Sequence, residues 1–308
     1  MGNPLRTKDP SLYRLITTRT IRAEMWLMPS AKNTKLIGGI IARYQELLGI
    51  EIYAYTILSN HIHLLIKAPR GNSDEFIENI NREIARRINW KYHREGPLWG
   101  RRYSEQIVLD EEEDLLEAFL YVTLNPTRHG LIKDSSKWKG LNSFHHSLRD
   151  STPRRFHFTH YSVKNEEDIP VKTTHSLTLS PLPQFKELSA KARGKKIKSL
   201  LYRRLREYWE QRGDVPYLGQ ERIDEQLPGD TPRKVSRSPR PHCYTKCAHK
   251  LREYLKERRL LIARYAEASF QFRLGRLDTQ FPAFTFKPPL QRAPRLSSFR
   301  PVISIIPA

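Results

Sequence analysis

Apolar and polar residues alternate and recur along the first half of the chain in a way that assigns its elements in turn. Leu12-Tyr13-Arg14-Leu15-Ile16-Thr17-Thr18, followed by Met25-Trp26-Leu27, is rich in β-branched and aromatic residues and predicts one long strand or a pair of strands over residues 12–28. Ser30 then reads as the N-cap of a helix. Ile37, Ile40, Ile41, Tyr44, Leu47 and Leu48 recur at helical spacing, and Gly49 ends the run. Residues 50–57 and 61–67 predict two strands joined by Leu58-Ser59-Asn60, an antiparallel hairpin. Ser73 reads as the cap of a second helix with Ile77, Ile80, Ile84 and Ile88 as its apolar stripe, and Gly96-Pro97 stops it. Residues 101–109 predict a further strand. Asp110 with Glu113 then forms a capping-box-like start to a third helix, whose acidic first turn suits the positive end of the helix dipole.

The order strand, helix, strand, strand, helix, strand predicts an α+β fold: a ferredoxin-like βαββαβ antiparallel sheet with two helices on one face. Beyond residue 150 the pattern loosens. Residues 151–184 carry four prolines and predict a linker or irregular wrap. Residues 185–212 predict a basic helix with ten Lys/Arg against three Glu. Residues 228–241 are rich in proline and arginine and predict an extended arm, and residues 245–275 predict another helix. The expected division is therefore 1–150 as the chemistry-bearing domain, 151–184 as linker, 185–280 as a basic helical extension and 281–308 as a proline-rich tail.

Charge changes the picture more than length does. With 54 Lys+Arg against 33 Asp+Glu, the net charge of +21 repels itself unless a polyanion is the partner. Nucleic acid is the first candidate and an anionic membrane surface the second. No stretch has the apolar length to span a bilayer, and the N-terminus lacks the apolar core of a signal peptide, so the expected location is cytoplasmic. Cys243 and Cys247 are the two cysteines, which excludes a disulfide-rich secreted scaffold. His242, Cys243, Cys247 and His249 place four potential ligands within eight residues. Structural zinc sites usually take their second ligand pair from farther along the chain, so reduced thiols are the expectation.

His61-Ile62-His63 sits in the second strand of the hairpin. The side-chain period of two puts both imidazoles on one face, where such a pair can hold a divalent metal. Alone, a His-x-His pair is more often two solvated side chains. On the third helix, Leu115, Leu116, Phe119, Leu120 and Val122 cluster on one side, while Tyr121 and Asn125 lie on the other as i, i+4 neighbours. Pro126 should end or kink the helix at Asn125. Tyr103 is a second tyrosine, read as packing or phosphate positioning.

The combination is specific where its parts are not. Leu58-Ser59-Asn60-His61-Ile62-His63-Leu64-Leu65, Gly96-Pro97-Leu98-Trp99 with Arg102-Tyr103, and Tyr121-Val122-Thr123-Leu124-Asn125-Pro126-Thr127-Arg128 occur in this order. Over residues 12–148 the chain resembles the single-tyrosine HUH (IS200-like) transposases, in the branch of REP-associated tyrosine transposases. The resemblance implies that His61, His63 and the amide of Asn125 hold Mg²⁺ or Mn²⁺ against a scissile phosphate, and that Tyr121 is the catalytic nucleophile. Its attack would leave a 5′-phosphotyrosine and a free 3′-hydroxyl, allowing strand transfer without ATP near hairpin-forming repeats. The resemblance further implies single-stranded or hairpin DNA as partner, a monomer or homodimer, and a prokaryotic, nucleoid-associated location. Two features depart from the family. Asn125 stands where better-studied relatives have glutamine, and Arg128-His129-Gly130 replaces an arginine-alanine-glycine ending, with His129 read as a bystander. Arg82, Arg86, Arg87, Lys91, Arg101, Arg102 and Arg128 are the candidate phosphate contacts, and residues 185–212 with the arm Arg233–Arg240 are candidates to grip a hairpin or flanking duplex. The competing expectations are a nucleic-acid-binding protein that keeps the fold without catalysis, and an RNA-processing enzyme using activated water.

Overall fold

The computed structural model describes residues 5–149, 152–160, 171–232 and 241–289, so the expectations for the arm Arg233–Arg240 and for residues 290–308 lie outside the described residues. The larger of two compact units is Pro10–Cys247; the residues from Ala248 onward, with the first nine, make the other.

In the larger unit β1 (Tyr13–Arg19) is followed by α1 (Ala31–Leu48). The Ser30 hydroxyl accepts from the Asn33 N–H at 3.2 Å, and Gly49 closes the helix at φ +64°, a left-handed conformation open to glycine at little cost. Met25-Trp26-Leu27 is not a strand. The Met25 and Leu27 N–H groups donate to the Asp230 and Ser59 carbonyls, so this segment is bonded to loops and Leu27 serves as a core residue. β2 (Glu51–Ile57) and β3 (His61–Lys67) pair antiparallel around residues 58–60, as their pattern predicts. α2 (Ser73–Lys91) buries Ile77, Ile80, Ile84 and Ile88, but its N-cap position is Asn72, and Ser73 is already a buried helical residue. β4 (Ser104–Val108) precedes α3 (Glu113–Thr123), where the Asp110 carboxylate accepts from the N–H groups of Glu112 and Glu113 at 2.8 Å.

Two short helices, α4 (Asn125–Arg128) and α5 (Phe144–Leu148), lead to a separate hairpin of β5 (Arg154–His160) and β6 (Val171–Leu177). Then come α6 (Ala190–Arg212), α7 (Gln220–Asp224) and the two-residue β7 (Cys243–Tyr244). In the smaller unit, α8 spans Ala248–Arg273. No helix among the described residues is long and apolar enough to cross a membrane.

The fold is mixed α and β around a mostly antiparallel sheet of order β2-β3-β1-β4-β7, in which only the β4–β7 pair is parallel. Alternation along β3 divides two cores. Ile62, Leu64 and Ile66 join Ile16, Ile52 and the apolar stripes of α1 and α2 on one face. Leu65 joins Tyr13, Leu15, Val108, α3 and α6 on the other. A bulge between Ile52 and Ala54 turns both Tyr53 and Ala54 toward this second core.

The chain divides elsewhere than at residue 150. The expected linker holds the β5–β6 hairpin, which lies directly on α1. Mid-helix Gly38 and Gly39 permit this, since a Cβ there would stand 2.4 Å from the Phe156 ring and 2.3 Å from the His157 carbonyl oxygen. The basic helix is likewise no appendage, because Ile197, Leu200, Leu201 and Leu205 of α6 complete the second core. The short alternation Arg155-Phe156-His157-Phe158-Thr159 is the one local signal of β5 in the sequence.

Candidate active site

His61 and His63 share the β3 face that looks toward α3, and both are buried, at 7% and 3% exposure. Their rings meet edge-on with centroids 4.8 Å apart. Each is held at Nδ1. The Asn60 side chain donates through Nδ2 to the Ala23 carbonyl, so its Oδ1, 2.6 Å from His61 Nδ1, is an acceptor and leaves His61 Nε2 with its lone pair. Across the β1–β3 ladder, where Thr17 faces His63, the Thr17 hydroxyl lies 2.9 Å from His63 Nδ1. His63 Nε2 is buried with no hydrogen-bond partner. Burial is the main cause that keeps both imidazoles neutral. His63 is pushed down to about 3, with His129, Arg19 and Arg128 adding to the effect, and His61 is also driven well below its ordinary value.

Tyr121 projects from α3 onto this pair. Its ring stands edge-on to His63, centroids 5.4 Å apart, and is half-buried against the second core rather than on an open helix surface. The helix breaks just before Asn125, as Pro126 predicts, and Asn125 still neighbours Tyr121. Regular helix stops at Thr123, Leu124 takes φ −97° and ψ 12°, and Asn125 restarts the chain as α4, fully buried. The proline at the next position has no N–H to continue the helix, which makes this break local and cheap. The amide oxygen of Asn125 is buried without a hydrogen-bond partner. The Arg128 guanidinium lies 4.8 Å from the centre of the Tyr121 ring. Burial raises the Tyr121 phenol above its ordinary value, and Arg128 and the Asn125 amide pull it back.

The donor set suits a divalent cation. Two neutral imidazoles, with His63 Nε2 and the Asn125 amide oxygen buried without a hydrogen-bond partner, are donor atoms that such an ion accepts. Among the described residues no three His, Cys, Asp or Glu side chains are grouped to hold a metal ion. Imidazole donors favour Mn²⁺ over Mg²⁺, which prefers oxygen. Cys243 is buried on β7 and Cys247 exposed, both as free thiols.

Residues far along the chain hold the tyrosine helix. Glu117 on α3 receives Arg204 from α6 at 2.5 Å and the Lys246 ammonium at 2.6 Å. Burial opposes its charge, but these cations hold it down at about 2. Asp114 accepts from the Lys246 N–H, and the Tyr244 ring packs 6.1 Å from that of Tyr121. Thr56 on β2 donates to the Val122 carbonyl at 2.6 Å, and Asn142 donates to the Thr123 carbonyl. Sequence reading missed Thr17, Asn60, Arg19 and Tyr244 as site residues. Arg19, exposed, faces His61 in the β1–β3 register, a relationship legible only once the strands are paired.

The expected phosphate contacts separate. Arg82, Arg86, Arg87 and Lys91 lie on α2, across the sheet from the histidines. Arg87 departs furthest from expectation: it is buried, bonded to Glu83 and the Thr159 carbonyl, and stacked on Phe158, so it ties α2 to β5. Arg86 pairs with Glu83, Arg82 bonds Asn79, and Lys91 donates to Asn33. Arg101 and Arg102 are exposed just after Gly100, whose N–H donates to the Arg19 carbonyl. Arg128 alone of the set stands at Tyr121. His129, read as a bystander, lies 6.3 Å from His61, its imidazole pushed down to about 4 by burial and by Arg128.

Comparison with known proteins places this geometry. Residues 11–122 match the family model described as transposase IS200 like. A Haemophilus influenzae protein named as a REP-associated tyrosine transposase is 30% identical over 111 residues, which are 32% of this chain and 61% of that relative. A solved structure of a REP-associated tyrosine transposase bound to a REP hairpin is 19% identical, covers 48% of this chain and 86% of its own, and superposes with a TM-score of 0.41. A Deinococcus radiodurans R1 transposase structure is 20% identical over 39% of this chain and 95% of its own, with a TM-score of 0.27. Residues 11–122, which carry the paired histidines and the tyrosine, are thus similar to the IS200-like transposases, and the chain spans 61% of the length of the Haemophilus relative that it matches.

Proposed function

We propose that this protein is a transposase that cuts and rejoins single-stranded DNA beside hairpin-forming repeats, with Tyr121 as nucleophile. The observation that carries the reading is the meeting of Tyr121 with His63 on one sheet face, beside His61 and with a buried Asn125 whose amide oxygen has no hydrogen-bond partner. The sheet order β2-β3-β1-β4 fits the ferredoxin-like arrangement, with the histidines on a central strand.

In this reading Tyr121 Oη attacks the scissile phosphorus, a phosphorus–oxygen bond forms, and the bond to the 3′-oxygen breaks. The products are a 5′-phosphotyrosine and a 3′-hydroxyl, and attack by a 3′-hydroxyl reverses the step. Arg128, over the Tyr121 ring, favours the phenolate that this attack requires. His61, His63 and Asn125 would hold Mg²⁺ or Mn²⁺. When bound, such an ion supplies Lewis-acid polarisation of the phosphate. Thr17 and Asn60 fix the two imidazoles so that their Nε2 atoms remain available. Arg19, Arg101 and Arg102 offer exposed cations near the same strand end for the DNA backbone.

The test is a denaturing gel of the protein incubated with a labelled hairpin oligonucleotide and Mg²⁺ or Mn²⁺. A labelled band at the protein's position that vanishes in Tyr121→Phe supports the reading. Cleavage without a covalent band, or a band that survives the substitution, overturns it.

A further inference from the structure

On the sheet face opposite the histidines, α1 and β5 wall a cleft of about 690 Å³. Its floor is apolar, formed by Leu36, Ile40, Phe156 and Phe158. Its rim carries Lys35, Arg155 and Lys172, all exposed and none in an ion pair among the described residues. Among the described residues no carboxylate lines it. The cleft is built rather than incidental. Gly38 and Gly39 bring β5 onto the helix, and the Arg87 and Arg154 guanidinium groups are stacked 4.6 and 5.2 Å from the Phe158 and Phe156 ring centres.

We infer that this cleft is a second, non-catalytic binding site for a single-stranded stretch of nucleic acid. Unpaired rim cations without a neighbouring acid attract a polyanion. The volume lies in the range of sites that enclose a small ligand, so a nucleotide base can enter between α1 and β5 while its phosphates meet the rim. An apolar floor gives an isolated phosphate nothing to bond, whereas the face of an unpaired base can meet it. All of β5 and β6 lies beyond the matched residues 11–122. Only the choice of nucleic acid as ligand rests on the proposed function.

The test uses the full chain and a fluorescent oligo(dT) strand, read by anisotropy at stepped salt concentrations without divalent metal. The variant combines Lys35→Gln, Arg155→Gln and Lys172→Gln, all surface changes, with circular dichroism to verify folding. The expected result is binding weakened by about tenfold or more, with the log–log salt slope reduced by about 2, as the loss of three phosphate contacts to a single strand predicts. A blunt duplex of equal charge should lose far less. Unchanged affinity and slope, or an equal loss for the duplex, overturns the inference, as does a variant weakened only toward a polyglutamate peptide. A wild type that forms no covalent adduct yet shows this rim-dependent binding sinks the transposase reading and leaves the cleft standing. A wild type that forms the adduct while the variant binds oligo(dT) normally does the reverse.

Discussion

The ring of Tyr121 stands edge-on to that of His63, with centroids 5.4 Å apart and planes at 83°. Fifty-eight residues of chain separate them, and the contact exists because α3 is laid across the face of β3 and pinned there from both sides.

The pH dependence of covalent adduct formation should follow the phenol. Burial raises Tyr121 above its ordinary value, so the phenolate fraction and the rate should climb with pH throughout the range above neutrality. Arg128→Gln removes a cation that opposes this shift and should slow the reaction at pH 8 on the order of tenfold, a loss partly recovered at higher pH. Single-turnover rates against pH check both; an Arg128→Gln profile identical to wild type refutes the assignment.

Metal binding should depend on a residue that touches no metal. Thr17 orients His63 through Nδ1, so Thr17→Val should weaken Mn²⁺ binding by about 10- to 100-fold, the usual cost of removing a ligand's outer partner. Asn125→Ala should cost at least as much, and Mg²⁺ should bind more weakly than Mn²⁺ in every variant. Calorimetric titration of the DNA-free protein measures this independently of turnover.

Acid should destabilise the larger unit through His146. This buried imidazole, bonded to the Tyr55 hydroxyl at 2.9 Å, is pushed down to about 4, first by burial and then by Arg154. The unfolded chain takes up its proton near pH 6.5, so the neutral folded form loses ground as pH falls from there toward 4. At pH 5 the loss is about 2 kcal/mol. Urea unfolding at pH 7 and pH 5 should show it, with a smaller difference in His146→Gln.

Stability should also rest on a buried ion pair between neighbouring strands. Arg14 on β1 is fully buried, with Nε 3.0 Å from the Glu105 carboxylate on β4. Glu105→Gln leaves that guanidinium charged in the interior and should cost about 3–5 kcal/mol. A cost below about 1 kcal/mol in denaturant titrations would mean that water reaches the pair.

Gly39→Ala should dislodge the β5–β6 hairpin, because its Cβ would stand 2.3 Å from the His157 carbonyl. Amide exchange should accelerate across β5 and β6 while β3 stays protected, with a loss on the order of 2 kcal/mol.

How far each residue could be read ahead depends on how local its cause is. Ser30 and Gly49 bound α1 through contacts within a few residues, and the isoleucine stripe of α2 follows from helical periodicity. Ser73 failed as a cap because Asn72 was an equally plausible neighbour. A helical wheel puts Tyr121 opposite the apolar side of α3, but it does not show that this side faces a second wall. Arg87 looked like its neighbours Arg82 and Arg86 until β5 supplied a carbonyl and a ring to receive it.

By itself, then, the sequence determined the order of elements from β1 to α3, the shared face of His61 and His63, and the basic balance that calls for a polyanion. These are consequences of side-chain periodicity, capping and composition, which act over a few residues or over the whole chain. Tertiary structure alone decided that Asn125 is buried, that Thr17 orients His63, that Arg204, Tyr244 and Lys246 hold the tyrosine helix, and that β5 closes a cleft against α1. Those relationships join residues tens to more than a hundred positions apart, and strand register and core packing set them.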